Sequence, residues 1–305
     1  MLRIEPVRPA DQPQALALLA GGAAAAGAAG LAGHFEAMLS GADAGRCKLW
    51  WARTLRGPRA AAMTVRNPGR VAMVYYGPAG SRRRETLAGL LRGISDAALA
   101  EGLAFVQAMV HPADEADLPA LLEAGYRRLA QLVYLRRELH DVPAEPPATM
   151  TWEPFRRGQE DRLAGIIEQT YVGSRDCPGL RGLRRMEDVV ASHKASGIFH
   201  PKSWWIPQYQ GDPVGCVLVN KADEAGAGEV VYLGVRPGYR RRGFGRAMLR
   251  RALIDAADRG WYEMRLAVDG ANTPAMRLYR QEAFREVDRR EVYIKPSQTP
   301  GGGSD

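Results

Sequence analysis

The sequence predicts an α/β (α+β) protein in which one arrangement occurs twice, a mixed, mostly antiparallel central sheet flanked by helices in each half. Three observations predict it. Runs of β-branched and aromatic residues alternate with amphipathic helical stripes. A proline-rich stretch, Asp141-Val-Pro-Ala-Glu-Pro-Pro-Ala148, divides the 305 residues near their middle. Short matches also recur between the halves, with Trp50-Trp51 answering Trp204-Trp205 at an offset of 154 and Leu121 to Tyr126 answering Tyr279 to Phe284 at 158. The slow drift of that offset is what a duplicated fold with small loop changes leaves. The expected divisions are residues 1–140, a linker at 141–150, a second domain at 151–296 and a flexible tail at 297–305.

The second half reads most clearly. Thr151–Phe155 is a first strand, and Gln159–Tyr171 and Arg184–Ser196 carry helical periodicity. Trp204–Gln210 and Val214–Lys221 form a hairpin, and Glu229–Val235 reads as a buried strand. Next comes Val235-Arg-Pro-Gly-Tyr-Arg-Arg-Arg-Gly-Phe-Gly-Arg-Ala-Met248, with five arginines and three glycines. Ala247, Met248, Leu249, Ala252, Leu253, Ala256 and Ala257 then make the stripe of an amphipathic helix, stopped by Gly260. Met264–Val268 is another strand, a helix follows Asn272, and Phe284–Lys295 returns as the closing strands. In the first half Leu2 to Pro9 alternates like a strand, Val71–Tyr76 answers Val230–Leu233, and Leu132–Leu139 closes the domain.

Composition narrows the function classes. Three scattered cysteines, Cys47, Cys177 and Cys216, suit neither a disulfide framework nor a zinc site, and the five histidines show no metal-ligand spacing. No metal is expected. The Ala/Gly run Gly21–Gly33 is too short and too weakly apolar to span a bilayer, so a cytoplasmic protein without a membrane partner is expected. The net charge of +8 admits a nucleic-acid partner, but arginine is spread along the whole chain and no nucleic-acid-binding pattern occurs. Direct nucleic-acid recognition is not expected.

The glycine-arginine stretch is a strand-to-helix turn. The first turn of a helix leaves backbone N–H groups unpaired and carries the positive end of the macrodipole. An anion docks there if side chains do not screen the amides, and Gly243 and Gly245 leave that approach open. Arg240, Arg241 and Arg242 add charge around a diphosphate. No Gly-Lys-Ser/Thr follows, and the G-x-G-x-x-G spacing is missing, so neither a Walker loop nor a dinucleotide fold is indicated.

Arg240-Arg-Arg-Gly243-Phe-Gly245 resembles the R/Q-x-x-G-x-G/A signature of the GNAT-superfamily N-acetyltransferases, and Val235-Arg-Pro237 before it is typical of them. Asn272-Thr-Pro-Ala275-Met-Arg-Leu278-Tyr279, followed by Ala283-Phe284, resembles the family's N-x-x-A-x-x-L-Y-x-x-x-G-F helix, with Ala283 at the usual glycine. The resemblance implies two tandem GNAT-like domains and acetyl-CoA as cosubstrate. It places Leu233, Gly234, Val235, Arg240, Arg241, Arg242, Gly243, Phe244, Gly245, Arg246 and Asn272 at the coenzyme. It also implies direct attack by a primary amine in a ternary complex, with Tyr279 as the acid that reprotonates the thiolate and Glu229 as the base, unless a water chain does that work. A phenol with an ordinary pKa near 10 suits that acid role.

Aligned at an offset of 157, Gly243 becomes Thr86 and Gly245 becomes Ala88, so the first half is expected to bind no coenzyme. Tyr171 and Asp176, in the long turn Thr170–Leu183, are candidates for the wall that meets a small-molecule or peptide amine. Cys177 reads as a small packed residue rather than a nucleophile. The alternative to an enzyme is a non-catalytic acyl-CoA-binding or regulatory module that keeps the loop and lacks turnover.

Overall fold

The computed structural model describes residues 2–21, 28–41, 44–80, 83–112, 115–142, 150–222 and 226–298. Most of the expected linker, 143–149, and the end of the tail, 299–305, lie outside them, as does part of the Ala/Gly run at 22–27.

The described chain begins with β1 (Arg3–Pro6), α1 (Gln12–Leu19), α2 (Ala28–Ser40), β2 (Cys47–Thr54), β3 (Gly57–Asn67) and β4 (Val71–Tyr76). Then come α3 (Arg84–Ala100), β5 (Phe105–Val110), α4 (Leu118–Glu123) and β6 (Arg127–Glu138). The second half holds β7 (Thr151–Pro154), α5 (Glu160–Tyr171), α6 (Met186–Ala195), β8 (Trp204–Tyr209), β9 (Asp212–Pro213), β10 (Gly215–Lys221) and β11 (Ala227–Val235). It ends with α7 (Phe244–Asp258), β12 (Glu263–Asp269), α8 (Thr273–Gln281) and β13 (Arg285–Pro296).

Two compact units result, and their limits differ from the expected domains. Unit 1 is the chain up to Leu129 together with the chain from Arg290 on, whereas unit 2 is Ala130–Arg289. Strand pairing explains the difference. Residues 132–138 of β6, expected to close the first half, pair antiparallel with β12, as in Leu135 opposite Leu266. Residues 291–296 of β13, expected to close the second half, pair antiparallel with β5, as in Tyr293 opposite Ala108. Each unit is thus completed by the other half's last strand. Alternation of side chains marks a strand but does not say which edge it joins.

In unit 2 the strands run β7-β8-β10-β11-β12-β6, all antiparallel except β11 with β12. One face packs on α7 and α8 through Met248, Leu249, Leu253, Met264, Leu266 and Phe284. The opposite face packs on α5 and α6 through Leu163, Ile167, Val189, Trp204, Ile206 and Leu218. Helices on both faces make β10 buried from Gly215 to Asn220, which is why this strand reads as continuously apolar. Unit 1 repeats the order β1-β2-β3-β4-β5-β13, with β4 and β5 as its parallel pair.

Candidate acetyl-transfer site

The site of unit 2 begins where its parallel strands part. β11 and β12 are paired at Ala227 with Glu263, Gly228 with Met264 and Glu229 with Arg265. The ladder stops there, although β11 continues to Val235 and β12 to Asp269. The register of β11 against β10 also shifts between Leu218 and Val219, leaving Val231 as an extra residue. A notch opens between the diverging strands. It forms a cavity of about 720 Å³ lined by Val230–Val235, by Ala267 and Val268 across the notch, and by the starts of α7 and α8.

The glycine turn forms one end of this cavity. Gly243 is the cap residue of α7, at φ +84°, a conformation glycine adopts readily. Arg241 also has a positive φ of +64°. The Ala247 N–H donates to the Gly243 carbonyl at 3.1 Å, so the amides of residues 244–246 precede the first closed helical turn. A Cβ built on Gly245 would meet nothing nearer than Val235 Cγ2 at 3.6 Å. The protein interior therefore does not require this glycine.

The predicted coenzyme residues separate by position. Leu233, Gly234, Val235, Arg240, Arg241, Gly243, Gly245, Arg246 and Asn272 line the cavity, whereas Arg242 and Phe244 do not. Phe244 is buried against Tyr209, and the Arg242 guanidinium stacks 5.2 Å from the Phe244 ring. Arg240 braces the turn, since its Nε donates to the Val235 carbonyl at 3.0 Å and its other nitrogen to the Thr170 carbonyl at 2.8 Å. Asn272 caps α8, its side chain accepting from the Ala275 N–H.

Tyr279 lines the cavity from α8, is buried, and packs edge-on against Phe284. Burial pushes its pKa well above the ordinary value, and the Asp176 carboxylate adds to the shift. Glu229 stands where the strands are still paired and is not a lining residue; Ser196 Oγ donates to its carboxylate at 3.4 Å.

Tyr171 and Asp176 both line the cavity as well. Burial pushes the Tyr171 phenol up to about 12. Asp176 and Asp269 clasp each other's segments: the Asp269 N–H donates to Asp176 Oδ1 at 3.1 Å, and the Cys177 N–H donates to Asp269 Oδ2 at 3.1 Å. Asp176 thus holds the turn against β12, and burial raises its pKa. Cys177 has a left-handed φ of +43°. Burial and the two carboxylates raise its thiol pKa, the opposite of what a nucleophile needs.

Several lining residues escaped the sequence reading. Tyr232 stood inside an apolar strand, yet its hydroxyl lies 2.5 Å from Thr170 Oγ1 and its ring lies 5.0 Å from His193. A Cβ on Gly234 would fall 2.6 Å from that threonine oxygen, so only glycine fits beneath the pair. Burial, then Arg184, push the pKa of His193 down to about 3 and keep its imidazole neutral. Nothing in the local sequence sets these residues apart.

Residues 174–284 match the model of the acetyltransferase (GNAT) family. The match runs from the Asp176 turn through the glycine turn to Phe284. The chain carries a GNAT acetyltransferase domain. The matched acetyltransferase domain makes the chain an acyltransferase. A mycothiol acetyltransferase of Clavibacter sepedonicus is 28% identical over 265 residues, covering 81% of this chain and 80% of the relative. One from Beutenbergia cavernae is 30% identical over 190 residues, 56% of this chain and 62% of that protein. In fold, the chain resembles a GCN5-related N-acetyltransferase from Sphaerobacter thermophilus, with TM-score 0.61, 22% identity, and 98% and 96% of the two chains covered. It also resembles a tandem GNAT protein from the clavulanic acid biosynthesis pathway, with TM-score 0.52, 16% identity and full coverage of both chains. The repeated arrangement is therefore a tandem GNAT architecture.

Among the described residues no helix is long and apolar enough to cross a membrane, and no group of three or more His, Cys, Asp or Glu is placed to hold a metal ion.

Proposed function

We propose that unit 2 transfers an acetyl group from acetyl-CoA to a primary amine by direct attack in a ternary complex. One observation carries this reading: a single cavity unites the parted strand β11, the open amides before α7 and the phenol of Tyr279. Amides 244–246 would hold the diphosphate, with Arg241 and Arg246 adding charge. The free edge of β11 from Val230 on offers backbone groups to the pantetheine and an N–H to the thioester carbonyl.

The amine lone pair attacks the carbonyl carbon, the C–S bond breaks, and the leaving thiolate takes the Tyr279 proton. Burial keeps the Tyr279 phenol protonated and makes it a weaker acid than the ordinary phenol expected from the sequence, so it gives up its proton only as the thiolate charge develops beside it. The amine proton leaves through water, because Glu229 lies outside the cavity lining. Tyr171, Asp176 and the neutral His193 form the acceptor's wall, where Asp176 attracts an incoming ammonium group. Cytoplasmic substrates and the absence of a nucleic-acid partner belong to the same reading.

The test is coenzyme thiol release across a panel of amines, beginning with the amine that mycothiol acetyltransferases acetylate. Acetyl-CoA binding without thiol release on any amine would favour the non-catalytic module; no binding would remove the reading.

A further inference from the structure

The acceptor side of the cavity holds a pair of hydroxyls whose protons are assigned by counting donors. Tyr232 and Gly234 are two residues apart on β11 and share a face. The phenol lies along the strand over Gly234, where a Cβ would meet its oxygen at 2.7 Å and Thr170 Oγ1 at 2.6 Å. Thr170 is buried in the last turn of α5. Its Oγ1 donates to the Ile167 carbonyl at 2.6 Å and lies 2.5 Å from the Tyr232 oxygen.

A hydroxyl has one proton to give and two lone pairs to offer. The Thr170 proton is committed to a carbonyl, which only accepts, so the phenol is the donor in the bond between the two hydroxyls. Burial keeps that phenol protonated, as this direction requires. Tyr171 stands edge-on to its ring at 6.1 Å and His193 lies 5.0 Å away, so the ring is held as well as the hydroxyl. The Tyr232 oxygen therefore has accepting capacity left and no proton to donate. It sits over the part of β11 whose free edge is assigned to the thioester, and Tyr232, Tyr171 and His193 all line the cavity.

We infer that Tyr232 orients the acceptor: its oxygen accepts an N–H of the incoming neutral amine, and Thr170 keeps the phenol proton turned away, so that the nitrogen lone pair is left for the thioester carbon. The inference rests on the acetyl-transfer reading above. As the C–N bond forms, the nitrogen becomes positively charged and its N–H a stronger donor, so the bond to Tyr232 tightens in the transition state. The amine proton still leaves through water, because a phenol that keeps its own proton is no base. A phenol free to rotate would donate to the amine instead and occupy the lone pair that has to attack. Thr170 is thus a positioning residue that acts through Tyr232.

The experiment follows acetyl transfer by the full chain to the panel amine that the wild type turns over fastest, with acetyl-CoA affinity read by calorimetry. The variants are Tyr232→Phe, Thr170→Val, Thr170→Ser and the double variant Tyr232→Phe with Thr170→Val; Thr170→Ala replaces Thr170→Val if the latter does not fold. Tyr232→Phe should lower kcat/KM for the amine by about ten- to a hundredfold and leave acetyl-CoA affinity within about twofold of the wild type. Thr170→Val should lower kcat/KM by a smaller factor, and Thr170→Ser, which keeps the hydroxyl, should retain most of the wild-type value. The double variant should be no slower than Tyr232→Phe alone, a coupling that lost packing does not produce. Wild-type kcat/KM in Tyr232→Phe with chemistry rate-limiting, additive losses in the double variant, or a loss confined to acetyl-CoA affinity overturns the inference and leaves acetyl transfer standing. If the wild type transfers acetyl to no amine of the panel, the acetyl-transfer reading falls and the inference falls with it.

Discussion

The strand-to-helix turns of the two units share a backbone plan and differ in what meets their amides. In unit 2 the turn between β11 and α7 ends on Gly243 at φ +84° and faces the cavity. In unit 1 the corresponding turn between β4 and α3 ends on Arg83 at φ −120°. There the buried Asp117 carboxylate accepts from the Ala79 N–H at 3.3 Å and from the Gly80 N–H at 3.1 Å. Asp117 stands at the cap position of α4, but no side-chain cap bond to that helix forms. Asp117 thus ties down the loop before α3, whereas in unit 2 the Tyr239 and Arg240 amides, at the corresponding places, donate to the Arg236 and Pro237 carbonyls.

The turns also correct the alignment. The helix starts equate Gly243 with Arg83 and Gly245 with Glu85, whereas the offset of 157 places Thr86 and Ala88 opposite the glycines, inside α3. The cap of α3 lies six residues after Gly77 and that of α7 nine residues after Gly234, so the turn of unit 2 is three residues longer, which a match of Tyr-x-Gly before the turn cannot register. Farther on, the offset of 158 is the structural one. The Tyr126 N–H donates to the Leu121 carbonyl and the Phe284 N–H to the Tyr279 carbonyl, both at 3.0 Å.

The largest expected effect tests whether the units are separable at all. A fragment beginning at Asp141 lacks the strand that pairs with β12, leaving that edge and its apolar face uncovered. It should show no cooperative melting by circular dichroism. If it melts at the full chain's temperature, the exchanged strand is dispensable and the units are independent.

Next is the phenol that unit 2 has and unit 1 replaces with Leu121. Tyr279→Phe should lower kcat by about ten- to a thousandfold with little change in acetyl-CoA affinity, read by single-turnover kinetics and calorimetry. Since the folded pKa is raised, the acid form persists, and kcat should show no alkaline loss from Tyr279 below its ordinary value of 10. Unchanged turnover with chemistry rate-limiting makes Tyr279 a packing residue only.

The open amides are tested by Gly243→Val and Gly245→Ala. The first adds backbone strain at a left-handed φ to the obstruction, whereas the second meets only ordinary contacts at 3.6 and 3.7 Å. Gly245→Ala should weaken acetyl-CoA binding by about ten- to a hundredfold at an unchanged melting temperature. Wild-type affinity in both folded variants would remove the cradle. In the wild type the stoichiometry should be one coenzyme per chain, and two would break the comparison outright.

Asp117→Ala should cost about 1–3 kcal/mol of stability by leaving two amides without their acceptor, with kinetics intact. Chemical denaturation reads it, and an unchanged midpoint would show that the carboxylate does not hold the turn. The smallest effect concerns the turn after the last helix of each half, where Gly125 has φ +92° and Ala283 has φ +61°. Ala283→Gly should gain up to about 1 kcal/mol by relieving the left-handed alanine, offset in part by unfolded-chain entropy. A loss of that size would show that Ala283 carries no strain.

What the sequence by itself determined is whatever local physical chemistry encodes. The glycine turn, the stripe of α7, the helix after Asn272 and most strands were legible because periodicity and backbone permission act over a few residues. It also carried the duplication. The tertiary structure decided which edge each closing strand joins, that Glu229, Arg242 and Phe244 turn away from the cavity, and that Tyr232, His193, Asp269 and Asp117 meet partners distant in sequence. Pairing edge, side-chain direction and burial depend on contacts between residues far apart in the chain, such as Glu291 with Val110, 181 positions away. No window along the chain contains both members of such a pair.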